Sequence, residues 1–203
     1  MRDKMLAMVR GVQAEISQAM SELDGSAFQE DIWERPGGGG GWSRVLQEGR
    51  IFEKAGVNVS AVHGKLSGLA AKSMLERNVP IGDGTFWACG ISLVLHPRNP
   101  LAPTVHANFR SFELGDGSQP GSWWFGGGAD LTPYYLFEDD AIHFHRTWKT
   151  ICDRHDSQYY PAFKKRCDDY FHIPHRGERR GLGGIFFDDL NDKPRDQLFA
   201  FVT

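Results

Sequence analysis

Four polar side chains crowd one short stretch of this sequence. HPRNPLAPTVHANFRSF, residues 96–112, sets His96 and His106 on either side of a proline-bracketed loop and follows the second histidine with Asn108 and Arg110. An imidazole moves protons near neutral pH and ligates divalent ions. A guanidinium presents a rigid fork to a carboxylate, and a primary amide beside it both donates and accepts. Side chains alternate along a strand, so Ser92 and His96 point one way before the loop while Ile91, Leu93 and Leu95 point the other. After the loop, His106, Asn108 and Arg110 share the face opposite Val105, Ala107 and Phe109. If the segment from Pro97 to Pro103 joins an antiparallel pair, Ser92, His96, His106, Asn108 and Arg110 meet on one side of a sheet. The prolines suit such a connection, having a fixed φ and no N–H to give to a ladder.

Other segments carry candidates of the same kind. SWWFGGGADLTPYY, residues 122–135, places Trp123, Trp124 and Phe125 before three glycines and then delivers Asp130, Tyr134 and Tyr135. Glycine lets backbone approach a large ligand, rings supply flat apolar cover, and a carboxylate accepts ring N–H bonds. Further on, Ala141, Phe144, His145, Trp148 and Cys152 fall on one helical stripe, so His145 points with the apolar side chains and toward a sheet. His172 and His175 flank Ile173-Pro174, where the proline turns the chain. Each group also has a plainer reading. A histidine on an apolar face is more often a hydrogen-bonded core residue, an aromatic cluster is more often core, and Arg110 can serve in an internal ion pair, for instance with Asp130. His63, His143 and His155 are given no chemical task. A His-x-x-His spacing supplies neither a third ligand nor a geometry, so pattern alone leaves a metal site and proton transfer both open.

The elements that must position these groups follow from composition and periodicity. The 203 residues, 40% hydrophobic, are enough for a sizeable core in one domain or at most two. A formal net charge of −3 excludes a broad cationic surface for nucleic acid or anionic lipid, and no apolar run is long enough to span a bilayer. Cys89, Cys152 and Cys167 form no Cys-x-x-Cys pair and read as buried, reduced thiols of a cytoplasmic protein. Met5, Val9, Val12, Ile16, Met20 and Leu23 predict an amphipathic helix ending at Asp24-Gly25. The Pro36–Gly41 run lacks the Lys-Ser/Thr of a phosphate loop and reads as a flexible turn into a strand. Residues 43–64 predict an antiparallel pair, 85–96 and 104–114 two more strands, 126–128 a glycine turn, 138–170 one long helix, and 184–188 a last short strand. Leu198, Phe199, Phe201 and Val202 open a further amphipathic helix.

Four blocks of the chain resemble the oxygen-dependent coproporphyrinogen III oxidases of haem biosynthesis. They are GISLVLHPRNPLAPTVHANFR (90–110), WWFGGGADLTPYY (123–135), FHIPHRGERRGLGGIFFDDL (171–190) and RPGGGGGWSRVLQEGRIFEKAGVNVSAVHG (35–64). The resemblance implies an α+β fold, a large, rather flat antiparallel β-sheet covered by α-helices on both sides, working as a homodimer. It implies oxidative decarboxylation of two propionates of coproporphyrinogen III to vinyl groups, giving protoporphyrinogen IX, carbon dioxide and hydrogen peroxide. Dioxygen is the implied co-substrate, with no organic cofactor. His106 matches the family's proton donor, and Asp130 and Arg110 complete the implied catalytic set. Ser92, Asn108, Phe109, Arg110 and Asp130 match substrate contacts, Asp130 as the acceptor of pyrrole N–H groups. His96, His106, His145 and His175 match positions assigned to a divalent metal cation in bacterial-type members. Members usually run on beyond this length, so residues 1–203 are expected to form a single domain without the family's C-terminal third.

Overall fold

Met5, Val9, Gln13 and Ser17 recur at four-residue steps, and all four are buried along helix α1 (Arg2–Asp24), which ends on Gly25 as its C-cap. The computed structural model describes all 203 residues. The α1 stripe packs on a seven-stranded antiparallel sheet. Its strands are β1 (Gln29–Glu34), β2 (Gly39–Gln47), β3 (Phe52–Lys65), β4 (Thr85–Pro97), β5 (Thr104–Leu114), β6 (Trp123–Thr132) and β9 (Gly184–Leu190). They lie in the order β1-β2-β3-β4-β5-β6-β9, while β7 (His172–Ile173) and β8 (Glu178–Arg179) form a separate small hairpin. Helices α3 (Glu138–Asp153) and α4 (Tyr159–Tyr170) contact β9, and α5 (Arg195–Val202) contacts β6. The class is α+β around a large antiparallel sheet, as the sequence led us to expect. Helix α2 (Gly68–Glu76), in the β3–β4 connection, buries no residue.

Core formation follows the strand alternation. Ala55, Val57 and Val59 of β3, Cys89 and Ile91 of β4, Phe125 of β6 and Ile185 and Phe187 of β9 are buried in one cluster with α1, α4 and α5 residues. Phe187 is its hub, with ring centroids 5.0 Å from Phe163 of α4, 5.4 Å from Phe201 of α5 and 6.2 Å from Phe109 of β5. All three cysteines are buried and free, and burial pushes the Cys89 and Cys167 thiols up to about 12 and Cys152 to about 11, far from thiolate chemistry. Buried polar groups act as fasteners. The Gln13 amide donates to the Trp42 and Val57 carbonyls at 2.7 and 2.8 Å, and Glu113 of β5 pairs with Arg2 of α1 and Arg195 of α5.

Two sequence expectations are corrected. Gly126-Gly127-Gly128 is no turn but the middle of β6, paired throughout with β5 and, at Gly127 and Gly128, also with β9. The predicted helix over 138–170 is two helices, because the chain turns after Cys152, whose carbonyl accepts the N–H groups of both His155 and Asp156. Asp156 then caps the Gln158 N–H and pairs with Lys193, fixing a new axis. Pro161 lies in the first turn of α4, where the lack of an N–H costs nothing. Residues 29–34, to which the sequence pattern assigns no element, form β1 on the sheet edge, held by the pairing of Arg44 with Glu30.

Asp24 links α1 to the β2–β3 hairpin by accepting the backbone N–H groups of Arg50, Ile51 and Phe52 at 3.1, 2.8 and 2.9 Å. The Phe52 N–H is the main cause that lowers its carboxyl to about 2. A depressed folded-state value means that this stabilisation is complete above about pH 4 and is lost as pH falls through about 2. Urea melts of wild type and Asp24→Asn should therefore show the variant less stable at pH 6, with the gap closing toward pH 2. A constant gap would contradict the assignment.

Candidate active site

The face of the sheet turned away from the α1, α4 and α5 core carries the even-numbered side chains of β4 and β5. Strand register aligns Ser43, Asn58, Ser92 and Asn108 across β2, β3, β4 and β5, and sets Val94 beside His106 beside Asp130. Ser92, His96, His106, Asn108 and Arg110 do share this side, as alternation requires. His96 stands at the strand end, exposed, with Nδ1 3.4 Å from the Thr104 hydroxyl.

Two charge systems occupy this face. Asp130 is 2% exposed, yet both its oxygens are satisfied: Oδ1 is 2.6 Å from His106 Nδ1, and Oδ2 accepts from Arg180 Nη2 at 2.8 Å. An isolated buried carboxylate would cost several kcal/mol, on the order of a buried charge left unpaired, and these two partners offset it. The second system is looser. Arg110 Nη1 donates to Asn108 Oδ1 at 2.8 Å, and Nη2 lies 3.2 Å from Asp188 Oδ1 without hydrogen-bond alignment. With side chains 40% and 32% exposed, that ion pair contributes about 0–1 kcal/mol, so Arg110 can change partners for an incoming carboxylate at little cost. Arg110 thus pairs with Asp188 rather than Asp130.

Around these groups lies a cleft of about 710 Å³, within the range of roughly 300–1,000 Å³ usual for small-molecule sites. His106, Asn108 and Arg110 line it with Gly128, Asp130 and Arg180, and Tyr134, Tyr170, Phe171 and Phe186 supply apolar wall. A second groove of about 540 Å³, containing Trp33, Asn58 and Ser92, adjoins it and shares Asn108 and Arg110. The β6 glycines keep the floor thin. A Cβ at Gly126 would sit 2.6 Å from Asp188 Oδ1 and 2.8 Å from Arg110 Nε on the cleft side, whereas one at Gly127 would meet the Phe109 and Phe187 rings at 2.6 and 2.8 Å on the core side.

Other sequence candidates lie elsewhere. Phe109 points into the core, its ring 6.2 Å from those of Trp148 and Phe187, so any ligand contact it makes is through main chain. Each Asp130 oxygen takes one donor within the protein, which leaves a second lone pair on each for a ligand N–H in the cleft that Asp130 lines. The four histidines do not assemble: no group of three or more His, Cys, Asp or Glu side chains forms a metal-holding cluster. His145 is spent on structure, with Nε2 3.2 Å from the Leu182 carbonyl and Nδ1 3.1 Å from the Tyr160 hydroxyl. Burial and the nearby Lys164 lower its pKa, so it stays neutral, as those two bonds require. His175 is exposed between β7 and β8. The donor set His96, His106, His145 and His175 therefore does not fit one divalent cation in this arrangement.

Sequence reasoning missed Arg180, Asp188, Phe171 and Phe186. Alternation in GIFFDDL holds a signal for two of them, since Phe186 and Asp188 fall opposite Ile185 and Phe187. Nothing local separates Arg180 from Arg176 and Arg179 beside it.

The model of the family described as coproporphyrinogen III oxidase matches residues 4–203. The chain belongs to this family. It is 54% identical over 207 residues to the mitochondrial oxygen-dependent coproporphyrinogen-III oxidase of Rattus norvegicus, covering 100% of this chain and 47% of that protein. It is likewise 54% identical to the chloroplastic oxygen-dependent enzyme of Glycine max, over 97% of this chain and 53% of the relative. The oxygen-dependent coproporphyrinogen-III oxidase of Drosophila melanogaster is 51% identical, with 100% of this chain and 53% of that protein covered. The chain spans about half the length of the curated relatives it matches.

The glycine floor of this family member separates stability from site geometry. Gly127→Ala presses on packed rings and should lower unfolding free energy by about 1–3 kcal/mol in urea melts. Gly126→Ala meets only the ends of Arg110 and Asp188, which are able to swing, and should cost less than Gly127→Ala. The reverse order would contradict the described packing.

Proposed function

We propose that the protein catalyses oxygen-dependent oxidative decarboxylation of two propionate groups of coproporphyrinogen III to vinyl groups, giving protoporphyrinogen IX. The observation that carries this reading is the cleft on the even-numbered sheet face, where a weakly partnered Arg110 and a carboxylate-backed His106 stand side by side under aromatic cover, in a chain of this family. Each propionate loses carbon dioxide, a proton from the carbon next to the ring, and an electron pair. Dioxygen takes that pair with two protons and leaves as hydrogen peroxide, so neither a redox metal nor an organic cofactor enters the balance.

The chain's own residues do three things in this scheme. Arg110, steadied by Asn108, exchanges Asp188 for a substrate carboxylate and fixes the propionate. His106, whose Nδ1 is held by Asp130, meets substrate through Nε2 and handles the proton at the ring-adjacent carbon. Ser92 and the polar row of the second groove accept another arm of the macrocycle, while Tyr134, Phe171 and Phe186 keep water from the reacting ring. Asp130 orients His106 and offers the remaining lone pairs of its two oxygens to pyrrole N–H groups. No step is routed through a divalent metal, and activity that survives chelation is the expected result.

Homodimerisation and a cytoplasmic location belong to the same proposal. Exposed Tyr134, Tyr135, Leu136, Phe137 and Ile142 beside the cleft offer apolar surface for a second subunit. Three free buried thiols suit a reducing compartment, the cytoplasm among them, although the rat and soybean relatives carry mitochondrial and chloroplastic names. No helix is long and apolar enough to cross a membrane.

Incubation of coproporphyrinogen III with this chain, and with a protein of the relatives' full length that contains it, under air and under argon tests the reading. Vinyl product and peroxide should form only under air, and Arg110→Ala should cut turnover by about 10²-fold or more. Oxygen-dependent turnover absent from both proteins would overturn the proposal, leaving a porphyrin-binding module.

A further inference from the structure

We infer that the groove beside the cleft is an uncharged subsite, walled by Trp33, that holds the vinyl arm made from the first propionate while the second propionate reacts. The inference rests on the proposed decarboxylation. This face carries one pairing of His106 with Arg110, so two propionates reach it one after the other. Whether the macrocycle turns in place or leaves and returns, the second reaction begins with a vinyl group on a neighbouring ring. That group has lost its charge and needs apolar contact beside Arg110.

Strand register builds the groove from small residues. Trp33, Gly41, Ser60, Gly90 and Arg110 lie side by side across β1 to β5. Between the indole and the guanidinium, only the Ser60 side chain rises from that row. Neither glycine admits a side chain: a Cβ at Gly41 would collide with the edge of the Trp33 ring, and one at Gly90 would lie 2.6 Å from the Phe109 carbonyl oxygen. With neighbouring strands about 4.8 Å apart, the four steps from Trp33 to Arg110 span roughly 19 Å, long enough for one side of a four-ring macrocycle. Trp33 is fixed at the outer end, its ring lying along Gly41 and its indole N–H donating to Ser43 Oγ at 3.2 Å.

The lining selects what enters. Arg110, at the border with the cleft, is the one charged residue of the groove, and Trp33, Ala88, Ser60 and Ser92 are neutral. Beyond them Asp31, opposite Ser43 in register, sets a negative charge at the outer end. A carboxylate placed there would exchange water for hydroxyls and an indole, with no cation to offset its lost hydration. A vinyl group has little hydration to lose and gains contact with the ring.

Two stable oxidised porphyrins test this without turnover: coproporphyrin III, which carries propionates only on its acidic arms, and protoporphyrin IX, in which two of them are vinyl groups. Fluorescence titrations of the 203-residue chain, and of the longer protein that contains it, give the ratio of the two dissociation constants. Trp33→Ala should weaken protoporphyrin IX by about 5–10-fold and coproporphyrin III little, and Trp33→Phe should recover most of the loss. A ratio unmoved by Trp33→Ala, or both porphyrins weakened alike, overturns the inference. If Trp33→Ala does not fold, Ser60→Lys decides: a cation on the groove floor should shift the ratio toward coproporphyrin III, and an unmoved ratio overturns the inference. Arg110→Ala separates this from the underlying reading. If it weakens both porphyrins while the Trp33 result fails, the inference falls and the proposed reaction stands; if it weakens neither, both fall. With coproporphyrinogen III under air, Trp33→Ala should also release severalfold more of the monovinyl tricarboxylate than wild type does, and an unchanged product distribution would overturn the inference.

Discussion

Side chains leave a strand on alternate faces, and in this protein that constraint divides core from chemistry. The helices α1, α4 and α5 bury Val57, Val59, Ile91, Phe125 and Phe187 on one side of the sheet. What remains on the other side is then fixed by number: Ser92, His106, Asn108, Arg110 and Asp130 have no alternative but to face outward together. A one-residue slip in register would bury a guanidinium and two imidazoles while exposing rings, so packing on one face enforces geometry on the other. The site is as rigid as the sheet that carries it.

Within that face, burial decides which charges are fixed and which are free. Asp130, 2% exposed, is held by two partners and serves as an anchor. The Arg110–Asp188 contact is half open to solvent and badly aligned, which makes it an exchangeable pair poised for a carboxylate. These opposite energetics suit opposite tasks, one orienting a proton-transfer group and the other receiving a ligand. Aromatic walls around both lower the effective dielectric and strengthen each interaction once water is displaced.

Much of this face was legible in the sequence because period-two alternation is a local property. His106, Asn108 and Arg110 were assigned to one side of a strand without knowledge of neighbours, and β4 and β5 matched their predicted ranges to within a residue or two. The strand β6 was not legible, because three consecutive glycines have turn propensity. Here they are needed by Phe109 and Phe187 pressing from one face and Arg110 and Asp188 from the other. The break between α3 and α4 was hidden because the apolar stripe resumes after it. Arg180 was invisible for a deeper reason: its position comes from hydrogen bonds to β6 and to Phe171, contacts that no local pattern encodes. The gathering of histidines failed for the same cause, since His145 and His175 lie on elements whose placement depends on tertiary packing.

The proposed role of the even-numbered sheet face is to receive a carboxylate of a tetrapyrrole. A crystal structure of the chain with coproporphyrin III, the oxidised form of the proposed substrate, tests it most directly. The macrocycle should lie over Gly128 with one propionate on Arg110, Asp188 displaced, and the Asp130 contacts to His106 and Arg180 intact. A macrocycle seated elsewhere, or one whose pyrrole nitrogens bond Asp130 after expelling His106 or Arg180, would contradict it.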